Sequence, residues 1–393
     1  MRLHKNIFDG KFGLERETLR VDTKGRLSQT SHPFQDKQLE RDFCENQLEI
    51  ITLPCDTISE MLSQLKVLDE KARAVLREQN ETLWLNSNPP YIENEDEIPV
   101  ARYSGDKAAK HNYRLKLQRR YGKRLMLHSG IHFNFSFSED YLKSLYEKEG
   151  AGILYRDFKD RLYLHLSKMA IKYSWLLVLL TSASPIYDLS LDGDGLYGTG
   201  FDGYASIRNG RRGYWNQFVP ILDYSDTLAY VKSIENYINK GMLFSAGELY
   251  LPVRLKPKGE NSLDALVRNG INHIELRMFD INPLEPFGIA EKDLEFAHLL
   301  LLYLSSLAHF EFTAEQQADA LKNHKSAALF DIYGVTIDGV DIRCAAQMVM
   351  NKMCRYFQEY NRALNVIEYE RAKLQNKRIC EKIYEMARSE INV

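Results

Sequence analysis

The stretch His273-Ile274-Glu275-Leu276-Arg277-Met278-Phe279-Asp280-Ile281-Asn282-Pro283 carries the densest chemistry in the chain. Ile274, Leu276 and Met278 alternate with His273, Glu275 and Arg277, the period-two pattern of a half-buried strand, and Asn282-Pro283 stops it. One face can pack on a core. The other sets a carboxylate beside a guanidinium, a pair that is costly near a core unless it has partners. Taken alone, the pattern also suits a surface ion pair on an edge strand. Three other stretches share the construction. In Phe12 to Val21, Glu15 and Glu17 lie two apart and project to one face, where two carboxylates repel unless a cation sits between them. In Asp42 to Thr52, Glu45, Gln47 and Glu49 share a face opposite Leu48 and Ile50. Asp42 stands at odd spacing from Glu49, so a bulge or turn must intervene if both serve one site. In Leu125 to Phe137, His132, Asn134 and Ser136 face one way and Ile131, Phe133, Phe135 and Phe137 the other.

A sheet whose polar face gathers Glu15, Glu17, Glu49, Glu275 and His132 would bind a hard cation. Oxygen ligands with few nitrogens favour Mg²⁺ or Mn²⁺ over zinc. Mg²⁺ on carboxylates commonly also holds substrate phosphates, and Arg208, Arg254, Lys256 and Arg277 could neutralise them. Arg254 and Lys256 share one face of a strand expected over Glu248 to Lys258. There is no P-loop. Gly193, Gly195 and Gly198 fit a dinucleotide fingerprint by letter, but no βαβ unit surrounds them and a mobile loop is expected. The residues point to a Mg²⁺-dependent enzyme that uses ATP.

The elements that must position this chemistry are mixed. Thr57 to Asn80 reads as an amphipathic helix opened by Thr57 and Glu60. Trp84 to Pro99 reads as loop, Lys107 to Arg124 as a basic helical face, and Tyr141 to Leu180 as mostly helix. Glu291 to Phe310 is a strongly apolar helix, Thr313 caps another, and Asp338-Gly339 marks a hairpin. Ala345 to Val393 reads as one or two surface helices. We expect a single catalytic domain over 1–393, with a helical part from 290 packed on it. With 44% apolar and 27% charged residues and a net charge of −2, the chain is globular and shows no field for nucleic acid. Its most apolar run, Trp175 to Leu180, is too short to cross a bilayer. Five scattered cysteines, and no apolar leader in Met1 to Phe12, suit a cytoplasmic protein, a monomer or weak homo-oligomer.

The segments FGLERETLRV, DFCENQLEIIT, SGIHFNFSF, the Arg208-to-Tyr214 spacing, ELYLPVR and HIELRMFDINPLEPFGI resemble the bacterial type of glutamate–cysteine ligase (γ-glutamylcysteine synthetase) family. They come in that family's order and cover residues of about 12 to 290. The resemblance implies an α+β fold, a curved and mainly antiparallel sheet forming a funnel flanked by helices, as in glutamine synthetase. It implies that ATP phosphorylates the γ-carboxylate of L-glutamate and that the amine of L-cysteine then displaces phosphate, with Mg²⁺ bound. By motif, Glu15, Glu17, Asp42, Glu49, His132 and Glu275 match metal ligands, and Arg277 the contact to the transferring phosphoryl group. Arg208 and Arg254 would hold substrate carboxylate or phosphate. Phe43, Tyr113, Arg114, Leu117, Tyr214 and Tyr250 match the acceptor pocket. Met126 stands where the family has a glutamine, which leaves open another acceptor amine. A non-catalytic binding protein on this scaffold is the remaining alternative, against which the intact ligand set speaks.

Overall fold

Strand β1 (Gly10–Asp22) is the longest in the molecule, and its alternation sets the two faces of the sheet. The computed structural model describes residues 6–103, 105 and 108–391. Phe12 and Leu14 point into the main core, and Glu15 and Glu17 point the other way. After β1 come β2 (Leu39–Arg41) and β3 (Gln47–Ile51), joined by a turn that begins at Asp42. Helix α1 (Ile58–Glu78) starts where the Thr57 side chain accepts the Glu60 N–H, and it buries Met61, Leu65, Leu68, Ala72 and Leu76. Then follow β4 (Glu81–Trp84), α2 (Ala108–Tyr121) and β5 (Ile131–Phe137). Helices α3 (Glu139–Glu149) and α4 (Tyr155–Thr181) come next. The short β6 (Tyr187–Asp188) and β7 (Thr199–Gly200) pair with each other around the glycine-rich loop. Helix α5 (Thr227–Asn239), β8 (Val253–Pro257), α6 (Leu263–Asn269) and β9 (Ile271–Phe279) complete the part that carries the sheet.

The sheet runs β2-β3-β1-β5-β9-β8, with β4 on the far end of β1, and every pairing is antiparallel. Its apolar face, with Leu48, Ile50, Phe133, Phe135, Ile274 and Leu276, is buried in one core with α1, α4 and α7 (Glu291–Ser305). Full burial of each such side chain contributes about 1.5–3 kcal/mol. Helix α8 (Ala314–Ala327), opened by a Thr313–Gln316 capping box, lies on α4. The hairpin of β10 (Thr336–Ile337) and β11 (Val340–Asp341) turns at Asp338 and Gly339, both at positive φ.

Several sequence expectations need correction. The strand expected from Leu125 starts only at Ile131, because Arg124–Leu127 forms a 3₁₀ turn. The strand expected from Glu248 starts at Val253, behind Pro252, because Ala246–Glu248 is also a 3₁₀ turn. The long helix expected over Tyr141 to Leu180 is two helices, and β4 lies just before the expected loop. The C-terminal part is three helices, α9 (Ile342–Tyr356), α10 (Asn361–Gln375) and α11 (Ile379–Ile391). Helices α9 and α10 are not merely on the surface. Met350, Met353, Phe357 and Ile367 are in the main core, and Lys373 of α10 lies between Asp293 of α7 and Glu370 in a buried ion cluster. A lone lysine in a polar stretch hides such a role, because its partner Asp293 is on another helix.

His298 of α7 is 7% exposed and wedged between the rings of Phe12 and Phe135, at centroid distances of 4.9 and 4.8 Å. Burial lowers its pKa from 6.5 to about 3, so the folded state does not take up the proton that the unfolded chain binds below 6.5. Stability from this residue is therefore lost as pH falls below 6.5. Replacing it with phenylalanine removes that loss. Denaturant unfolding should show the wild type losing about 2 kcal/mol more than His298→Phe between pH 7 and pH 5. Parallel pH profiles would refute this account of His298.

Candidate active site

The polar face of the sheet is a cross-strand row. Glu17 of β1 sits opposite Glu49 of β3, and Glu15 opposite His132 of β5. Asn134 of β5 sits opposite Glu275 of β9, which in turn faces Arg254 of β8. The antiparallel register thus gathers residues from five separate segments. A cavity of about 440 Å³ opens over them. Between Ile131 and Phe133 the pairing with β9 slips by one residue, so β9 carries an extra residue opposite His132. Bulges of this kind re-aim side chains. Here Arg277 Nη1 comes 3.4 Å from His132 Nδ1 and donates to Glu275 Oε1 at 2.9 Å. The Arg277 backbone N–H donates to the Pro252 carbonyl at 2.9 Å, which continues the β8–β9 register past Val253 on the side away from the bulge.

His132 is buried between acids. Its Nδ1 lies 3.3 Å from Glu15 Oε2 and 3.6 Å from Glu275 Oε1, and its Nε2 is 3.5 Å from Glu17 Oε1. Asn134 donates to Glu15 at 3.2 Å, and the Gly130 N–H donates to Glu17 at 3.0 Å. A Cβ at Gly130 would run into the Arg208 guanidinium, so a larger residue here would have to move that side chain. Lys256 Nζ stands 3.2 Å from Glu275 Oε2.

The charges divide the row in two. Burial works against the Glu275 anion, but Lys256, Arg277, His132 and Arg254 hold its carboxyl well below the usual range. Burial raises Glu49 well above that range, and Glu15, Asp42 and Glu17 push it further. Burial also raises Glu17, with His132 opposing and Asp42 adding to it. Burial and Glu275 work against the Glu15 anion, but His132 and Lys256 hold its carboxyl below the usual range, which leaves Glu17 and Glu49 as the acids short of a cation. Ligand atoms of Glu15, Glu49 and His132 lie within 4.8 Å of one another, and His132 Nε2 is buried without a hydrogen-bond partner. Carboxylate oxygens, one imidazole and unrelieved repulsion fit a hard divalent cation such as Mg²⁺ or Mn²⁺.

Of the residues expected at the site, Glu15, Glu17, Asp42, Glu49, His132, Glu275, Arg254, Lys256 and Arg277 all line this cavity. So do Tyr113, Leu117, Met126, Tyr214 and Tyr250. Asp42 reaches it from the β2–β3 turn, which is how its odd spacing is resolved. Three residues stand elsewhere. Phe43 is 1% exposed and packs behind the wall, in the same apolar cluster as Leu117 and Met126. Arg114 Nε donates to the Asp42 carbonyl, and its Nη2 is 3.8 Å from the Asp42 carboxylate. Arg208 lines an adjoining cavity that shares Tyr214, Tyr250 and Arg277 with this one, and donates to the Phe279 carbonyl at 3.2 Å and the Arg277 carbonyl at 2.9 Å. Tying down the strand that bears Arg277 uses up donors that were expected to meet substrate. Sequence reading missed His273, Gly247 and Asn261, which also line the cavity. His273 alternates with Glu275 and could have been found by the same period. The other two lie in turns that no periodicity marks.

A family model described as glutamate-cysteine ligase matches residues 2–242 and 219–327. The chain belongs to the glutamate–cysteine ligase family. It is 36% identical over 379 residues to the glutathione biosynthesis bifunctional protein GshAB of Listeria innocua, covering 91% of this chain and 48% of that protein. The glutamate–cysteine ligase of Clostridium acetobutylicum is 30% identical over 373 residues, covering 82% of this chain and 77% of that one. The chain thus spans about half the length of the GshAB relatives it matches. Solved structures share the fold. A bifunctional glutathione synthetase from Pasteurella multocida superposes with a TM-score of 0.82 at 25% identity, over 97% of this chain and 50% of that one. A glutamate–cysteine ligase from Francisella tularensis, in complex with AMP, gives 0.86 at 24% identity, over 97% and 85%.

The repulsion at Glu49 is testable without an assay. At a pH high enough to ionise Glu49, whose carboxyl is held well above the usual range, Glu49→Gln removes one of the crowded charges, so the Tm of the metal-free protein should rise. Mg²⁺ or Mn²⁺ should raise the wild-type Tm through binding to the folded state, and should raise that of Glu49→Gln much less. Equal shifts in both proteins would place the ion somewhere else.

Proposed function

We propose that this chain is an ATP-dependent ligase that joins the γ-carboxylate of L-glutamate to the amine of L-cysteine, the first step of glutathione-type thiol synthesis. The observation that carries this reading is the cross-strand row, with a cation-poor acidic half beside a Glu275–Lys256–Arg277 half, in a chain of this family. An acid half suits divalent metal and a cationic half suits the phosphates of ATP. The names of the GshAB and glutamate–cysteine ligase relatives, and the AMP in the Francisella tularensis structure, support the same substrates.

The reaction needs ATP because a carboxylate oxygen leaves poorly. Transfer of the γ-phosphoryl group to glutamate makes a mixed anhydride, γ-glutamyl phosphate, from which phosphate leaves when the amine attacks. Glu15, Glu17, Asp42, Glu49, His132 and Glu275 would hold Mg²⁺ or Mn²⁺, whose contribution is to neutralise the phosphate oxygens. Arg277 is pre-set by Glu275 and by its own backbone bond to Pro252, so it can meet charge on the phosphoryl group without reorganising. Arg254 and Lys256 extend that positive edge. Tyr113, Leu117, Met126, Tyr214 and Tyr250 frame the acceptor side. The five cysteines are all free thiols, as suits a reducing cytoplasm. Among the described residues no helix is long and apolar enough to cross a membrane.

Arg277→Ala should lower kcat by about 10²-fold with a smaller change in the KM for ATP, as expected for a contact made mainly in the transition state. A change in KM alone would make Arg277 a ground-state nucleotide contact.

Met126 favours a second reading within the same family. It is 8% exposed and gives the acceptor wall a soft apolar surface without a strong donor. An apolar pocket discriminates weakly between cysteine and α-aminobutyrate, so both should be accepted, cysteine the better. The test supplies ATP and L-glutamate with cysteine, α-aminobutyrate, alanine and simple alkylamines, and reads the products by mass spectrometry, in wild type and Met126→Gln. The glutamine should sharpen the preference for cysteine. A preferred amine lacking a carboxylate would replace the cysteine assignment.

A further inference from the structure

Helix α2 supplies Tyr113 and Leu117 to the cavity, yet Leu117 is its only buried side chain among the described residues. Tyr113, Leu115 and Tyr121 add partly buried contacts, and Arg120 donates to the Met242 and Gly241 carbonyls at 2.8 and 3.0 Å. The buried group that joins Arg120 to Tyr121 is Glu248, a carboxylate with 0% exposure that does not line the cavity itself. Glu248 Oε1 accepts from Arg120 Nη1 at 2.6 Å and from the Tyr121 hydroxyl at 2.8 Å. Its Oε2 accepts the Phe244 N–H at 2.5 Å. Its backbone carbonyl accepts from Asn216 Nδ2 at 2.7 Å, and Asn216 Oδ1 accepts the Tyr250 N–H at 2.9 Å. The Tyr121 ring meets the Tyr250 ring edge-on at 5.5 Å, and Tyr250 meets Tyr214 at 4.9 Å. One buried acid thereby joins three pieces of the acceptor wall. These are α2, the 3₁₀ turn ahead of β8, and the segment holding Tyr214 and Asn216.

We infer that Glu248 is the positioning residue of the acceptor pocket, clasping α2 through Arg120 and Tyr121 so that Tyr113, Leu117 and Tyr250 close on the incoming amine. Its side chain is engaged by Arg120, Tyr121 and the Phe244 N–H, while Arg254 of β8 reaches the same turn only through the Gly247 and Leu249 carbonyls on either side of it. The inference rests on the acceptor reading given above. Neutralising Glu248 should therefore weaken the acceptor selectively. An amide at this position would turn N–H groups toward donors, because all three partners of the side chain donate. Tyr121→Phe removes a single hydroxyl and is the milder variant.

The experiment measures KM for cysteine, L-glutamate and ATP in the full chain with Mg²⁺, for wild type, Glu248→Gln and Tyr121→Phe. It also follows backbone hydrogen–deuterium exchange over residues 108–121. The KM for cysteine should rise about tenfold in Glu248→Gln, the order expected for losing a hydrogen bond to a charged group, and less in Tyr121→Phe. The KM values for glutamate and ATP should stay within about twofold, and exchange in α2 should quicken. A purely structural role would move all three constants together or lower kcat alone, and either result would overturn the inference. So would unchanged exchange in α2. A wild type that turns over only with another amine refutes the cysteine reading instead, and the same split is then read with that amine.

Discussion

Glu15, Glu17 and Glu49 repel one another, and much of the molecule serves to hold them together nonetheless. Two unit charges 4 Å apart interact by about 4 kcal/mol at an effective dielectric of 20. The ligand atoms of Glu15 and Glu49 lie within 4.8 Å, and on a flexible loop such carboxyls would swing apart. Here they ride on paired strands whose opposite faces carry Phe12, Leu14, Leu48, Ile50 and Phe133 into the main core. Several such side chains, at about 1.5–3 kcal/mol each, are enough to offset the crowding. The apolar underside is thus part of the site, because it fixes the register that sets one acid against the next.

The other half of the row solves a different problem. Glu275 is wholly buried but sits between Lys256 and Arg277, so its charge is retained. The bulge opposite His132 turns Arg277 toward the same point. Arg208 grips the carbonyls on either side of Met278 and keeps that irregular stretch of β9 from relaxing into a regular ladder. Preorganised charge of this sort needs no rearrangement when a phosphoryl group moves.

Period-two alternation was enough to place Glu15, Glu17, Glu49, His132 and Glu275 on one face, and the odd spacing of Asp42 was enough to demand a turn. The antiparallel half-funnel and the family were legible too, because the motifs lie on the strands themselves. What alternation could not reveal were charges whose partners lie far away in the chain. Arg16 belongs by parity to the core face, where its guanidinium pairs with Asp69 of α1 and donates to the Phe287 carbonyl. Glu248 looks like the polar start of a strand until Arg120 and Tyr121 arrive from α2. Arg208, expected to meet substrate, also braces the strand that bears Arg277, a role its sequence position does not reveal. The C-terminal helices read as surface because their buried ion cluster is shared with α7. In each instance the sequence shows one member of a pair, and only the fold supplies the other.

The strand order has a consequence for how the chain comes to be folded at all. Strands β1, β3 and β5 are complete by residue 137, but β9, which lies between β5 and β8, ends only at Phe279. A chain emerging from the ribosome therefore displays its acids, and the exposed edge of β5, through the synthesis of more than a hundred further residues. Neither Lys256 nor Arg277 has yet been made. Non-local pairing of this kind is slow and leaves strand edges open meanwhile. The N-terminal strands can be no finished unit on their own, and the sheet closes from the inside only when β9 slots in. The segment that completes the charge pattern is thus also the one that fills the sheet between β5 and β8.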